Sequence, residues 1–84
     1  MFLHLGEDYT INEKEIVGIF DLDTATVSPA TRALLKTAEE EGRVVTVTDA
    51  LPKSFTVCRG FYGERIFLSG LNAATLKKRI TGDL

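Results

Sequence analysis

The sequence predicts a small α+β fold: a mainly antiparallel sheet of about six short strands with two helices, in the order ββ(turn)βαβββα. Three observations predict it. At 84 residues the chain makes one domain, 1–84, and has no room for two. Two stretches, Ser28 to Glu41 and Asn72 to Ile80, space their apolar residues as helices do and begin at recognisable caps. Between and around them lie short β-branched or alternating runs punctuated by Gly, Asn and Asp.

The elements follow in order. Phe2-Leu3-His4-Leu5 is a strand closed by Gly6, and Tyr9-Thr10-Ile11 is a second. The short Gly6-Glu7-Asp8 connection suits a hairpin. Asn12, with Glu15 three residues later, starts one helical turn. Ile16 to Leu22 is the most apolar strand candidate, so a central position is expected for it. Asp23 to Val27 reads as a loop. Ser28 is a good N-cap, and Pro29 suits the first helical position. Thr31, Leu34, Leu35 and Ala38 form the apolar stripe, and Gly42 ends the helix in the left-handed conformation. Arg43 to Thr48 begins a strand of high β-propensity, and Asp49 to Pro52 is a loop. Ser54 to Cys58 alternates, with Phe55 and Val57 on one side. Gly60 to Gly63 is a turn leading to a strand at Ile66–Ser69. In the last helix Asn72 is the cap, Leu71 and Leu76 can form a hydrophobic staple, and Ala73, Leu76 and Ile80 share one face.

Composition bounds the function. The single cysteine, Cys58, excludes a disulfide framework and fits a reducing compartment. No run is long enough to cross a bilayer, and the start lacks the character of a signal peptide, so a cytoplasmic protein with no membrane partner is expected. Net charge is −2, which argues against a uniformly basic nucleic-acid binder. The distribution is uneven: residues 1–42 hold 3 basic and 9 acidic side chains, a net −6, and residues 43–84 hold 7 and 3, a net +4. Such asymmetry can put a positive surface on an acidic protein, or make complementary surfaces for self-association.

Catalysis finds no constellation. His4 is the only histidine, so neither a triad nor a multi-histidine metal site can be built, and a structural or surface role is expected for it. Cys58 lies in a strand with no base beside it and reads as a buried, inert thiol. Asp21 and Asp23 share strand parity and, with Glu7 and Asp8, could hold a hard cation. Their spacing fits no calcium loop, and a strand-to-loop boundary explains them. No enzyme activity, cofactor or small-molecule substrate is expected. Lys53, Arg59, Arg65, Lys77, Lys78 and Arg79 can supply phosphate contacts, and Phe61 and Tyr62 can stack on bases or pack in a core or interface. The cations of the last helix also suit its dipole, a reading that stays open beside the anion-binding one.

Five segments carry a resemblance: Phe2 to Asp8, Glu15 to Asp21, Ser28 to Arg32, Lys53 to Val57 and Thr75 to Arg79. In order and spacing over nearly the full length the chain resembles the RemA/RemB family of small bacterial regulators of extracellular-matrix (biofilm) genes, the RemB branch more closely. The resemblance implies a ring-like homo-oligomer that binds DNA and controls transcription. It also implies DNA-contacting arginines near the start of the third strand and in the loop before the fifth. Those positions fall here at Lys14 or Glu15, and at Pro52 and Lys53. Lysine keeps the charge but not the guanidinium fork. The DNA-binding residues expected are therefore Lys14, Lys53, Lys77, Lys78 and Arg79. The alternative is an oligomeric scaffold or adaptor that binds protein and has lost DNA binding. Self-association is expected in either case, because a core this small gains by covering its edges.

Overall fold

The computed structural model describes residues 2–6, 9–25, 28–48, 50–61 and 63–81. Strands β1 (Phe2–Gly6) and β2 (Tyr9–Asn12) form an antiparallel hairpin. Strands β3 (Ile16–Asp21), β4 (Val44–Thr46), β5 (Ser54–Gly60) and β6 (Gly63–Ser69) form a second sheet in the order β3-β5-β6-β4. A 3-10 turn at Glu13–Glu15 joins the two sheets. Its cap is Asn12, whose side chain accepts from the Lys14 amide. The helices are α1 (Leu22–Ala25), α2 (Pro29–Glu40) and α3 (Ala73–Thr81).

The larger sheet is covered on both faces. On one, Phe55, Val57 and Ile66 pack with Ala38 and Leu35 of α2. On the other, Leu3, Leu5 and Ile11 of the hairpin and Ala73 and Leu76 of α3 cover Ile19, Cys58 and Phe67. This explains β5: its alternation sends Phe55 and Val57 to α2 and Cys58 to the hairpin side, and Ser54 to Cys58 are all buried. Two buried serines facing one another across β5 and β6 tie the layers together. Ser69 Oγ donates to the Leu5 carbonyl at 2.7 Å and accepts from the Leu71 amide at 3.1 Å. Ser54 Oγ donates to the Leu71 carbonyl at 2.7 Å.

Four sequence expectations are corrected. Ile16 to Leu22 is not a central strand: among the described residues β3 is an edge that pairs with β5 alone, and Val17 is 62% exposed. Its apolarity is spent instead on Ile16 and Ile19 under the hairpin and on Phe20, whose ring stacks on Phe55 at 5.1 Å. A register shift between Ile16 and Gly18 puts both isoleucines on one face. Second, the sheet is not a single antiparallel one: the hairpin stands apart, and β4 runs parallel to β6. Third, there are three α-helices among the described residues and not two, because Asp21 Oδ1 accepts from the Asp23 and Thr24 amides and caps a short helix where a loop was expected. Fourth, the fourth strand is shorter than Arg43 to Thr48. The helix boundaries agree better. Pro29 opens α2, although the Ser28 side chain makes no capping bond, and Gly42 closes it at φ +71°. Asn72 Oδ1 caps α3 by accepting from the Thr75 amide at 2.8 Å. No helix among the described residues is long and apolar enough to cross a membrane.

Candidate nucleic-acid interface

Helix α3 positions three of the expected residues. Ala73 and Leu76 are buried, which turns Lys77, Lys78 and Arg79 outward as one exposed cluster in the last turns. Cations there also meet the negative end of the helix dipole. Arg79 has a second attachment: its Nη1 donates to the His4 carbonyl at 3.1 Å, anchoring the helix to β1. His4 is thus an exposed strand residue that contributes its backbone.

The hairpin orients this cluster. Leu71, at the start of α3, lies beside Gly6 at the turn end of the hairpin, and Arg79 lies beside His4. Helix α3 therefore runs back along β1 toward the end where Phe2 pairs with Asn12. Lys14 follows Asn12 and is exposed at that same end. Lys53 is elsewhere. Its amide donates to the Ser69 carbonyl at 2.8 Å and its carbonyl accepts from the Leu22 amide at 3.0 Å, while its side chain is exposed. Glu15 lies against Gly60 at the far end of β5, so the seven residues of β5 separate Lys14 from Lys53 by roughly 20 Å. Lys14 and Lys53 thus lie at opposite ends of β5, and the α3 cluster lies beside β1.

Two arginines considered as phosphate contacts have other settings. Arg59 Nη2 pairs with Glu64 Oε2 at 3.2 Å, and Glu64 Oε1 takes Arg43 Nη1 at 2.9 Å. Arg43 also reaches Glu41 at 2.7 Å. Hydrogen bonds from Arg43 first and Arg59 second hold the Glu64 carboxyl below its ordinary range, and bonds to Glu41 and Glu64 raise Arg43. This network was not legible in the sequence, because parallel pairing of β4 with β6 is what brings Arg43 to Glu64. Arg65 pairs across the ladder with Cys58. The Cys58 thiol is buried and pushed up to about 11, chiefly by burial and then by the Glu15 charge, with Arg65 opposing. A neutral thiol suits the inert role expected of it.

Phe61, at the β5–β6 turn, is 94% exposed and so is not a core residue. Tyr62, Glu7 and Asp8 lie outside the described residues. Among those described, no three His, Cys, Asp or Glu side chains stand together as a metal site, and Asp21 is occupied in capping α1.

The chain matches the family model described as RemA-like, extracellular matrix regulatory protein A-like, over residues 2–80. It is also similar to Extracellular matrix regulatory protein B of Bacillus subtilis (strain 168), with 38% identity over 79 residues, 94% of this chain and 89% of that protein.

Proposed function

We propose that this chain, which belongs to the RemA-like family of extracellular matrix regulatory proteins, is a cytoplasmic DNA-binding regulator of matrix genes that works as a ring-like homo-oligomer. It acts by binding and not by catalysis. The observation that carries the reading is α3, where a buried Ala73–Leu76 face turns Lys77, Lys78 and Arg79 outward together. These residues contact phosphates, which give affinity without sequence information. One chain of net charge −2 holds few such contacts. Repetition around an assembly on one DNA adds them through effective concentration.

A second reading, an oligomeric adaptor for a protein partner, is favoured by two observations: the net charge is −2, and Arg59 is paired with Glu64. Gel shift at two salt concentrations decides. The expected result is retardation at low salt that weakens steeply as salt rises. Lys77→Glu with Lys78→Glu should reduce the slope of log affinity against log salt by roughly 2, about 0.9 for each lost phosphate contact. Absence of retardation at low salt ends the DNA reading and leaves the adaptor. Lys53→Glu tests the loop separately, since unchanged DNA affinity in a folded variant removes Lys53 from the DNA surface.

A further inference from the structure

Between the turn end of the β1–β2 hairpin and the stretch that leads from β4 into β5 lies a recess of about 370 Å³. Leu5 and Val47, both buried, and the half-buried Leu71 supply its apolar wall. Leu51, 87% exposed, and the exposed Lys53 stand at its rim. Gly6 and Gly70 also line it and add no side chain. Hydrogen bonds hold the wall from behind. Ser69 Oγ donates to the Leu5 carbonyl and accepts from the Leu71 amide, and Ser54 Oγ donates to the Leu71 carbonyl. The Val47 amide donates to the Leu68 carbonyl at 2.9 Å, and the Lys53 amide to the Ser69 carbonyl at 2.8 Å. Leu5, Val47, Leu71 and Lys53 are each pinned through the main chain, so the recess is formed before any ligand arrives.

We propose that this recess binds a small apolar carboxylate, its branched or aromatic tail against Leu5, Val47 and Leu71 and its carboxylate at Lys53. The polar groups at the site favour that class. Lys53 is the only ionisable side chain among the described lining residues, so the mouth is cationic. Thr48 also lines the recess. Its Oγ1 accepts from the Ala50 amide at 3.1 Å, and a hydroxyl so engaged still has its own proton to donate. An uncharged apolar ligand leaves Lys53 unused. An amine meets it with like charge. An inorganic anion uses the mouth and not the wall. The volume lies at the small end of ligand pockets, too small for a nucleotide or a long lipid chain. A carboxylate on a short apolar tail uses wall and mouth together. The site is separate from the α3 cluster, and the inference does not depend on the DNA reading.

The test uses the full chain with isotope-labelled Leu and Val methyl groups, so that Leu5, Val47, Leu51 and Leu71 report directly by nuclear magnetic resonance. Near neutral pH it is titrated with 4-methylpentanoate, with the uncharged 4-methylpentanamide, and with acetate. A ligand this small supports a dissociation constant on the order of 1 mM. 4-Methylpentanoate should move these methyl signals along a saturating curve. The amide should bind roughly two- to five-fold more weakly, the worth of an exposed ion pair. Acetate should leave the signals in place. Lys53→Gln should weaken the acid by the same roughly two- to five-fold and leave the amide unchanged. Leu51→Asp puts an anion on the rim and should weaken the acid more than the amide. Both side chains are exposed, and circular dichroism confirms the fold of each variant. No saturating change at these methyls by about 10 mM overturns the site. Equal binding of acid and amide overturns the carboxylate assignment, as does an acid affinity that Lys53→Gln does not lower.

Discussion

Replacing Ser69 with alanine tests how the layers are held together. Leu5 sits in the register shift of β1 between His4 and Gly6, and its carbonyl is taken by Ser69 Oγ at 2.7 Å. The same oxygen accepts from the Leu71 amide at 3.1 Å. Alanine leaves a buried carbonyl unsatisfied, at about 1–3 kcal/mol, and removes a partly buried bond worth about 0.5–1.5 kcal/mol. The sum is roughly 2–4 kcal/mol, a large share of the ~4–13 kcal/mol usual for a domain of this size. Thr56→Val is the internal comparison. Thr56 is buried in the same sheet, but its hydroxyl has no hydrogen-bond partner among the described residues. Removing a buried, unpaired hydroxyl should be neutral or stabilising by up to about 1–2 kcal/mol. Urea unfolding reads both, through midpoints at unchanged slope. A Ser69→Ala cost below about 0.5 kcal/mol, or a loss above about 1 kcal/mol for Thr56→Val, would refute this account of the serine ties.

Further expectations concern the ionisable groups. Glu64 is held below its ordinary range by Arg43 and Arg59, so the folded state binds its proton less readily than the unfolded chain. Its contribution to stability is present above the ordinary glutamate pKa and disappears as pH falls through the lower, folded value. Glu64→Gln should therefore weaken the protein near neutrality and flatten the acid limb of its stability curve, as urea midpoints between about pH 3 and 7 would show. Cys58, pushed up to about 11 by burial, should resist a thiol reagent at pH 8 in the folded protein and react at once in denaturant. Rapid modification without denaturant would mean that the hairpin side opens easily. Gly42→Ala should cost about 1 kcal/mol, because φ +71° suits only glycine well, and thermal unfolding measures it.

Much of this was legible locally. The Asn72 cap, the Ala73–Leu76–Ile80 face and the outward cations are short-range facts, and α3 follows from them. So does the alternation of β5. What was not legible depends on which strands are neighbours. Apolarity suggested that β3 lies at the centre, yet strand composition does not encode sheet order, and β5 and β6 take the middle. The Arg43–Glu64–Arg59 network could not be foreseen for the same reason: it requires β4 beside β6. That pairing ties Arg59 to Glu64, although its side chain stays largely exposed. Short motifs of side chain and backbone, such as Asp21 capping α1, were hidden by a single ambiguous loop.

The order β3-β5-β6-β4 also has a temporal consequence. The two outer strands are synthesised before the two inner ones. A nascent chain that has just released α2 and β4 from the ribosome holds both margins of its sheet with nothing between them. Only when the β5–β6 hairpin emerges can it slot into the gap, and only then do the hairpin and α3 have a floor to rest on. Closure of the larger sheet must therefore wait on its later-made strands, β5 and β6.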